Sequence, residues 1–264
     1  MRLRATVALL SAAGYVAVLY AFIFLPVGVL VIFSFQGGRL PVPPLNGMSL
    51  RWYQAVFADD RMMGALWHSL AVAGLSSLIA VALGFLAAYG LARYRPSGAG
   101  LMQWLLMAPL SVSYLIIGMG LLITFNSFGI PKSLMAIGIG HVVINLPLAF
   151  AILYSQFGQH QVNMERAARD LGAAEWQVLL LITAPLLWPA LLAAFFLSFT
   201  LSWDEFIIAL LVSRFDVTLP VEIWSMLRSG LNPQTNAVGT LVFAISMCLV
   251  LVMELLVWRR NGRR

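Results

Sequence analysis

Residues 64–92 read GALWHSLAVAGLSSLIAVALGFLAAYGLA and contain no charged side chain. A run of about 18 or more apolar residues is long enough to cross the hydrocarbon core of a bilayer as a helix. This stretch therefore predicts a membrane-spanning helix. Comparable runs occur along the whole chain, so the same interpretation extends outward in both directions.

Six apolar segments predict about six transmembrane helices in a single domain over residues 1–264. Helix is the expected conformation because hydrocarbon offers the backbone no outside partners, and a β-barrel would show short alternating strands instead. The expected fold class is an all-α membrane protein. The approximate bounds are Thr6–Phe35, Gly64–Ala92, Leu101–Phe125, Leu134–Phe157, Pro185–Ser213 and Ala237–Trp258.

The composition excludes several classes of protein. Hydrophobic residues make up 61% of the chain and charged residues only 10%, against about 25% charged in soluble domains. The net charge of +6 does not indicate a nucleic-acid partner, because the basic residues lie at the ends of apolar segments. Cys248 is the single cysteine, so neither an intrachain disulfide nor a cysteine metal site is expected, and no cofactor is predicted.

The distribution of arginine and lysine predicts the orientation in the membrane. The positive-inside rule places the larger group of basic residues in the cytoplasm, which puts both termini there. That group is Arg2, Arg4, Arg93, Arg95, Arg166, Arg169, Arg259, Arg260, Arg263 and Arg264; the opposite side holds Arg39, Arg51, Arg61, Lys132, Arg214 and Arg228.

The most informative connection is the cytoplasmic loop at about residues 158–184. Its stretch NMERAARDLGAAEWQ, residues 163–177, is rich in helix formers and interrupted by Gly172. It predicts two short helices that meet at a glycine turn. Leu171 and Trp176 offer an apolar face that a solvated loop does not need, so the helix is expected to dock into a groove on a partner.

This loop resembles the cytoplasmic loop of permease subunits of type I ABC importers, written E-A-A-x-x-x-G followed by I-x-L-P. Gly172, Ile182 and Pro185 occupy the matching positions, with Arg166 at the family's glutamate and Ala184 at its leucine. The resemblance implies a coupling helix that inserts into an ATPase subunit, with altered charge pairing at that contact. The residues it assigns to ATPase coupling are Glu165, Arg166, Ala167, Ala168, Asp170, Leu171 and Gly172.

Other segments resemble the polyamine branch of these permeases, the spermidine/putrescine importers. They include residues 49–53, SLRWY, and residues 199–206, FTLSWDEF, with Leu219-Pro220 following. The likeness implies half of a translocation pore, with a second, homologous permease that completes a heterodimer. It also implies a dimer of ATPase subunits and an extracytoplasmic solute-binding protein as partners. The chain itself is then expected in the bacterial inner membrane. Related branches carry iron(III), thiamine or sulfate.

Polar residues inside the apolar segments are the candidates for the translocation path. An acid in a bilayer costs at least about 2.5–3.5 kcal/mol, so such a residue usually faces a cavity or a partner. Asp204 is expected to attract a cationic amine. Alternatively, Asp204 and the adjacent Glu205 could lie near the outer interface or pair with a basic group of the partner permease. His141 and Asn145 share a helix face, where interhelical hydrogen bonding competes with pore lining. The predicted set is Ser202, Trp203, Asp204, Glu205, His141 and Asn145.

The chain has no phosphate-binding G-x-x-x-x-G-K-[ST] motif and no hydrolase motif, so ATP hydrolysis is expected in a separate subunit. The main alternative is a secondary transporter driven by an ion gradient, which would show inverted repeats and broken helices at matching positions. We see no internal repeat of that kind. A third interpretation is a membrane enzyme or a purely structural assembly factor, and the sequence shows no catalytic constellation for it.

Overall fold

The computed structural model describes residues 2–230 and 232–261, and the described part is helical without a named β-strand. The all-α fold class is confirmed. Four of its helices are long and apolar enough to cross a bilayer, and two bent helix pairs bring the number to six if each pair is one span. Arg263, Arg264 and the side chains of Arg2, Arg4, Arg259 and Arg260 lie outside the described residues.

The helices follow the apolar segments in order, with short helices in the connections. Their bounds are α1 Arg2–Ser34, α2 Arg51–Phe57, α3 Asp60–Tyr94, α4 Ala99–Met107, α5 Tyr114–Ser127, α6 Leu134–Tyr154, α7 Gln159–Asp170, α8 Glu175–Gln177, α9 Ala184–Leu186, α10 Trp188–Trp203, α11 Ile207–Val212, α12 Leu219–Ser229 and α13 Pro233–Asn261. A 3₁₀ turn at Ala108–Ser111 follows α4, and a π-helix at Val178–Thr183 follows α8.

The chain divides into two compact units. The first comprises residues 1–63 and 223–245. In it, the Ser34 hydroxyl lies 2.7 Å from the Tyr53 hydroxyl, and the Trp52 indole N–H donates to the Gln36 carbonyl at 2.7 Å. These contacts fix the short helix α2 to the end of α1.

The second unit comprises residues 64–222 and 246–264 and contains two apolar cores. One core joins α3, α5, α6 and α11 around Ile137 and Ile208, both fully buried. The other joins α3, α6 and α10 around Phe150 and Ala194. In both cores α6 packs against α3, which places the polar side chains of α6 inside the bundle.

The segment predicted over Leu101–Phe125 is helical but is divided into two helices. The chain bends by 105° between the α4 segment and α5. Pro109 lies in the 3₁₀ turn, Val112 is extended, and the Ser113 hydroxyl accepts from the Leu115 N–H at 3.4 Å as the N-cap of α5. Proline removes a backbone donor and the serine supplies a new helix start, so the local residues favour the break.

The segment predicted over Pro185–Ser213 is likewise divided into shorter helices. A bend of 76° separates the segment ending at Leu186 from α10, and α10 then ends at Trp203. The Glu205 carboxylate accepts hydrogen bonds from two backbone N–H groups. That of Ile208 lies 3.0 and 3.1 Å from its two oxygens, and that of Ala209 lies 3.1 Å from one of them. A carboxylate that accepts hydrogen bonds from the free N–H groups at a helix start stabilises that start. Glu205 therefore stabilises the first turn of α11.

Candidate functional site

The loop predicted around Gly172 folds as two helices joined by a glycine turn, as expected. Gly172 has a φ of 86°, a left-handed conformation that glycine adopts without steric cost. The Gly172 N–H donates to the Arg169 carbonyl at 2.9 Å, and the Ala173 N–H donates to the Ala168 carbonyl at 3.1 Å. This pair of bonds is the Schellman arrangement that ends a helix, so α7 stops at a defined residue.

Glu165 holds α7 to the rest of the second unit. Its side chain is fully buried, and its two carboxylate oxygens accept from Arg93 Nε at 2.6 Å and Arg93 Nη2 at 2.9 Å. The Thr183 hydroxyl donates a third bond at 2.9 Å. Bidentate arginine–carboxylate pairs are strong and geometrically specific. Glu165 therefore ties α7 to the end of α3 and to the π-helix.

A second ion pair spans the glycine turn. Arg169 Nε donates to Glu175 Oε1 at 2.7 Å, and Arg169 Nη2 donates to the Tyr89 hydroxyl at 3.2 Å. The hydrogen bond to Glu175 raises the pKa of Arg169 above its ordinary value, which reflects how the carboxylate stabilises the charged guanidinium. The Glu175 side chain is 55% exposed, which limits its contribution to stability because water screens the pair.

The exposed surface of this segment includes an apolar face. Leu171 is 89% exposed and Trp176 is 62% exposed. Met164, Ala167 and Leu171 follow the i, i+3, i+7 spacing of one helix face, and all three are exposed. We call these three residues and Trp176 the docking face. Large apolar side chains on a charged helix of this kind are typical of an interaction surface.

The predicted coupling residues thus divide into two groups. Glu165 points into the protein and positions α7, whereas Arg166, Ala167, Asp170, Leu171 and Gly172 are exposed and Ala168 is half-buried. The pairing of Glu165 with Arg93 could not be predicted from local sequence, because the two residues lie 72 positions apart in the chain. Tyr89, 80 residues from Arg169, was missed for the same reason. Thr183 and Glu175 lie nearer to their partners in the chain, but no local pattern marks them as hydrogen-bonding residues.

The polar residues predicted for the translocation path converge at the broken end of α10. His141 Nδ1 lies 2.6 Å from the Ser202 hydroxyl, which lies 3.1 Å from the Ser76 hydroxyl of α3. His141 Nε2 lies 3.2 Å from Glu205 Oε2. The two atoms are thus within ion-pair distance, although Nε2 makes no hydrogen bond within the described part of the chain. His141 therefore joins α6 to α10 and to the start of α11.

The remaining members of the predicted path differ in exposure. Asn145 is fully buried and its amide makes no hydrogen bond within the described part of the chain. Trp203 is buried as well, and its indole N–H is likewise unpartnered there. Asp204 is exposed at the end of α10. Adjacent in sequence, Asp204 and Glu205 thus have different environments.

Known proteins match most of the chain. Residues 80–261 match the family described as the binding-protein-dependent transport system inner membrane component. The chain is 31% identical to the spermidine/putrescine transport system permease protein PotC of Escherichia coli (strain K12), over 92% of each chain. It is 35% identical to the putrescine transport system permease protein PotI of the same organism, over 84% of this chain and 82% of the relative.

A solved structure has the same fold. A chain of a bacterial ABC transporter involved in the import of the acidic polysaccharide alginate superposes with a TM-score of 0.67. The alignment covers 95% of both chains at 18% sequence identity. At that identity the likeness concerns the fold alone.

Proposed function

The chain belongs to the family of inner-membrane components of binding-protein-dependent transport systems, and from this premise we propose that it is a permease subunit of an ATP-driven polyamine importer. It forms half of the translocation pore, and a homologous but distinct permease forms the other half. Two ATPase subunits bind on the cytoplasmic side, and an extracytoplasmic binding protein delivers the ligand. Both termini lie in the cytoplasm.

The observation that carries this proposal is that α7 is anchored on its buried side by Glu165 and presents the apolar docking face on its exposed side. Glu165 is fully buried against Arg93, while Leu171 is 89% exposed at the other surface. A solvated loop has no need of either feature. A rigid helix with an exposed apolar face binds a groove without first losing conformational entropy. The groove belongs to the ATPase subunit.

The same contacts give the coupling a physical route. When ATP binding closes the ATPase pair, the docked α7 moves with it. Because Glu165 bonds to Arg93 and to Thr183, the displacement reaches the end of α3 and the π-helix that leads toward α10. Helix shifts of this kind are a common form of switching transition. Here they alternate the pore between inward-facing and outward-facing states.

The names of the relatives support polyamines as the substrate class, since they are spermidine/putrescine and putrescine transport system permeases. The carboxylate of Asp204 has the complementary charge to an alkylammonium group and is exposed at the end of α10. His141, Asn145, Ser202, Trp203 and Glu205 are buried within the described chain. We therefore assign the ligand contact to Asp204 and a supporting role to its buried neighbours.

The docking face can be tested by Leu171→Asp. We expect this substitution to weaken binding of the ATPase by about 2 kcal/mol, roughly thirtyfold in Kd, because it places a charge in the apolar groove. Copurification and titration of the ATPase onto the detergent-solubilised permease pair measure the effect. Phe215→Asp is the matched control, since it introduces the same charge at an apolar residue that is 82% exposed outside the segment. If both variants lose ATPase affinity equally, or if Leu171→Asp loses none, the assignment of the docking face to ATPase binding is contradicted.

Asp204 can be tested by charge removal. Asp204→Asn keeps the shape of the side chain but removes its attraction for an ammonium group. We expect spermidine uptake into proteoliposomes to fall by roughly tenfold, in line with about 1.4 kcal/mol of lost attraction. Asp216→Asn, also an exposed carboxylate of the second unit, is the control and should retain uptake. Wild-type uptake by Asp204→Asn would exclude Asp204 from the path.

A further inference from the structure

We propose that a cleft formed by the end of α3, by α4 and by α7 binds an anionic phospholipid such as phosphatidylglycerol. The headgroup lies among arginines beside the coupling segment, and an acyl chain lies in an apolar groove between α3 and α4. The inference depends on the membrane location of the chain and is independent of the transported ligand.

The headgroup cavity has a volume of about 500 Å³ and a predominantly polar wall. It is bordered by the last residues of α3 and by α7. Its charged lining consists of Arg93, Arg95, Arg166, Arg169, Glu165 and Glu175. Arginine recognises phosphate through several donors held in a planar fork, so a cluster of this kind suits a phosphate group.

The carboxylates in this cavity are already neutralised. Glu165 pairs with Arg93 and Glu175 pairs with Arg169. Arg95 and Arg166 have no acidic partner among the described residues, and both are exposed. The cavity therefore carries an excess positive charge on these two side chains. An anion that enters it gains two charge-assisted contacts and displaces no existing ion pair.

The backbone supports this placement of Arg95. Arg95 has a φ of 41°, a conformation that is uncommon in residues other than glycine. It follows directly after the last residue of α3. The turn directs the chain from a membrane-spanning helix to α4 while the Arg95 side chain remains in the wall of the cavity.

An apolar groove adjoins this cavity. It has a volume of about 270 Å³, a lining that is almost entirely apolar, and walls from α3 and α4 that include Leu91, Met102 and Leu106. Tyr94 borders both spaces. Gly90 lines the groove, and a Cβ at this position would meet no atom within 4 Å. A glycine beside open space leaves room that a larger residue would fill.

An amphiphile fits these two spaces better than a soluble anion does. Inorganic phosphate would occupy the arginine cavity and leave the groove unfilled. A phospholipid places its phosphate by Arg95 and Arg166 and its chain by Leu91 and Met102. Tyrosine at the boundary between a polar and an apolar region is typical of the membrane interface, and basic pockets between helices bind anionic headgroups.

Native mass spectrometry of the full chain, purified with its partner permease, tests the site with phosphatidylglycerol and phosphatidylcholine as probes. We expect retention of phosphatidylglycerol over phosphatidylcholine. The double variant Arg95→Gln/Arg166→Gln should lower phosphatidylglycerol affinity by roughly tenfold or more. The control Arg39→Gln/Lys132→Gln removes the same charge from exposed positions elsewhere and should leave affinity unchanged.

The groove is tested separately. Gly90→Leu should lower phosphatidylglycerol affinity, whereas Gly120→Leu, an exposed glycine on α5 that also faces open space, should not. Excess inorganic phosphate should not displace the lipid. The proposal is overturned if the arginine variant retains the lipid like the wild type, if both double variants lose it equally, or if phosphate displaces it while Gly90→Leu has no effect. The last outcome would indicate a site for a soluble anion.

Discussion

Replacing Glu165 with alanine is expected to lower the free energy of unfolding by about 3–5 kcal/mol and to abolish coupling between ATP hydrolysis and transport. The substitution leaves the Arg93 guanidinium, whose side chain is only 11% exposed, without its carboxylate. It also removes the acceptor of the Thr183 hydroxyl. Thermal unfolding in detergent and ligand-stimulated ATP hydrolysis measure the two effects.

Two further variants separate stability from coupling. Glu175→Gln disrupts the half-exposed ion pair with Arg169 and should cost less than about 1 kcal/mol. Arg93→Met/Glu165→Met removes both buried charges together and should recover much of the lost stability, but coupling should stay low because the bond between α3 and α7 is absent. Wild-type stability and coupling in Glu165→Ala would contradict the positioning role of Glu165.

Gly84→Leu is expected to prevent α3 and α6 from packing. A Cβ at Gly84 would lie 2.9 Å from the Phe150 backbone nitrogen and 3.1 Å from the Ala149 Cβ. Small residues allow two membrane helices to approach closely, and an added side chain here meets backbone that cannot rotate away. Overpacking costs about 1–3 kcal/mol or more, and this site connects the helices that hold Arg93 and His141.

The yield of monodisperse protein and its melting temperature measure this effect. Gly120→Leu is the matched control, because a Cβ at Gly120 meets nothing within 4 Å. Unchanged melting of Gly84→Leu would mean that the two helices are not packed as described here.

The apolar runs predicted the all-α fold because length and hydropathy alone decide whether a helix can span a bilayer. They could not predict where helices break. Pro147 lies within an unbroken α6, whereas Pro109 lies at a 105° bend. At Pro109 a 3₁₀ turn and the Ser113 cap replace the backbone hydrogen bond that proline cannot make. Whether a proline breaks a helix therefore depends on tertiary contacts as well as on local sequence.

The candidate site was predictable only where its structure depends on neighbouring residues in the chain. The Gly172 turn follows from local residues, since only the helix formers around a glycine are required. Glu165 as the internal anchor of α7 depends on Arg93, which is distant in sequence. His141 and Asn145 share a helix face, yet only His141 contacts a neighbouring polar group within the described chain. Helical spacing places side chains on a face but does not supply their partners.

The most direct test of the central claim is spermidine uptake by proteoliposomes that contain this permease, its partner permease, the ATPase and the binding protein. Uptake should require ATP inside the vesicles, persist when ion gradients are dissipated, and be accompanied by spermidine-stimulated ATP hydrolysis. Stimulation by thiamine or ferric ion alone would contradict the polyamine assignment. Uptake that depends on an ion gradient and proceeds without ATP would contradict the importer itself.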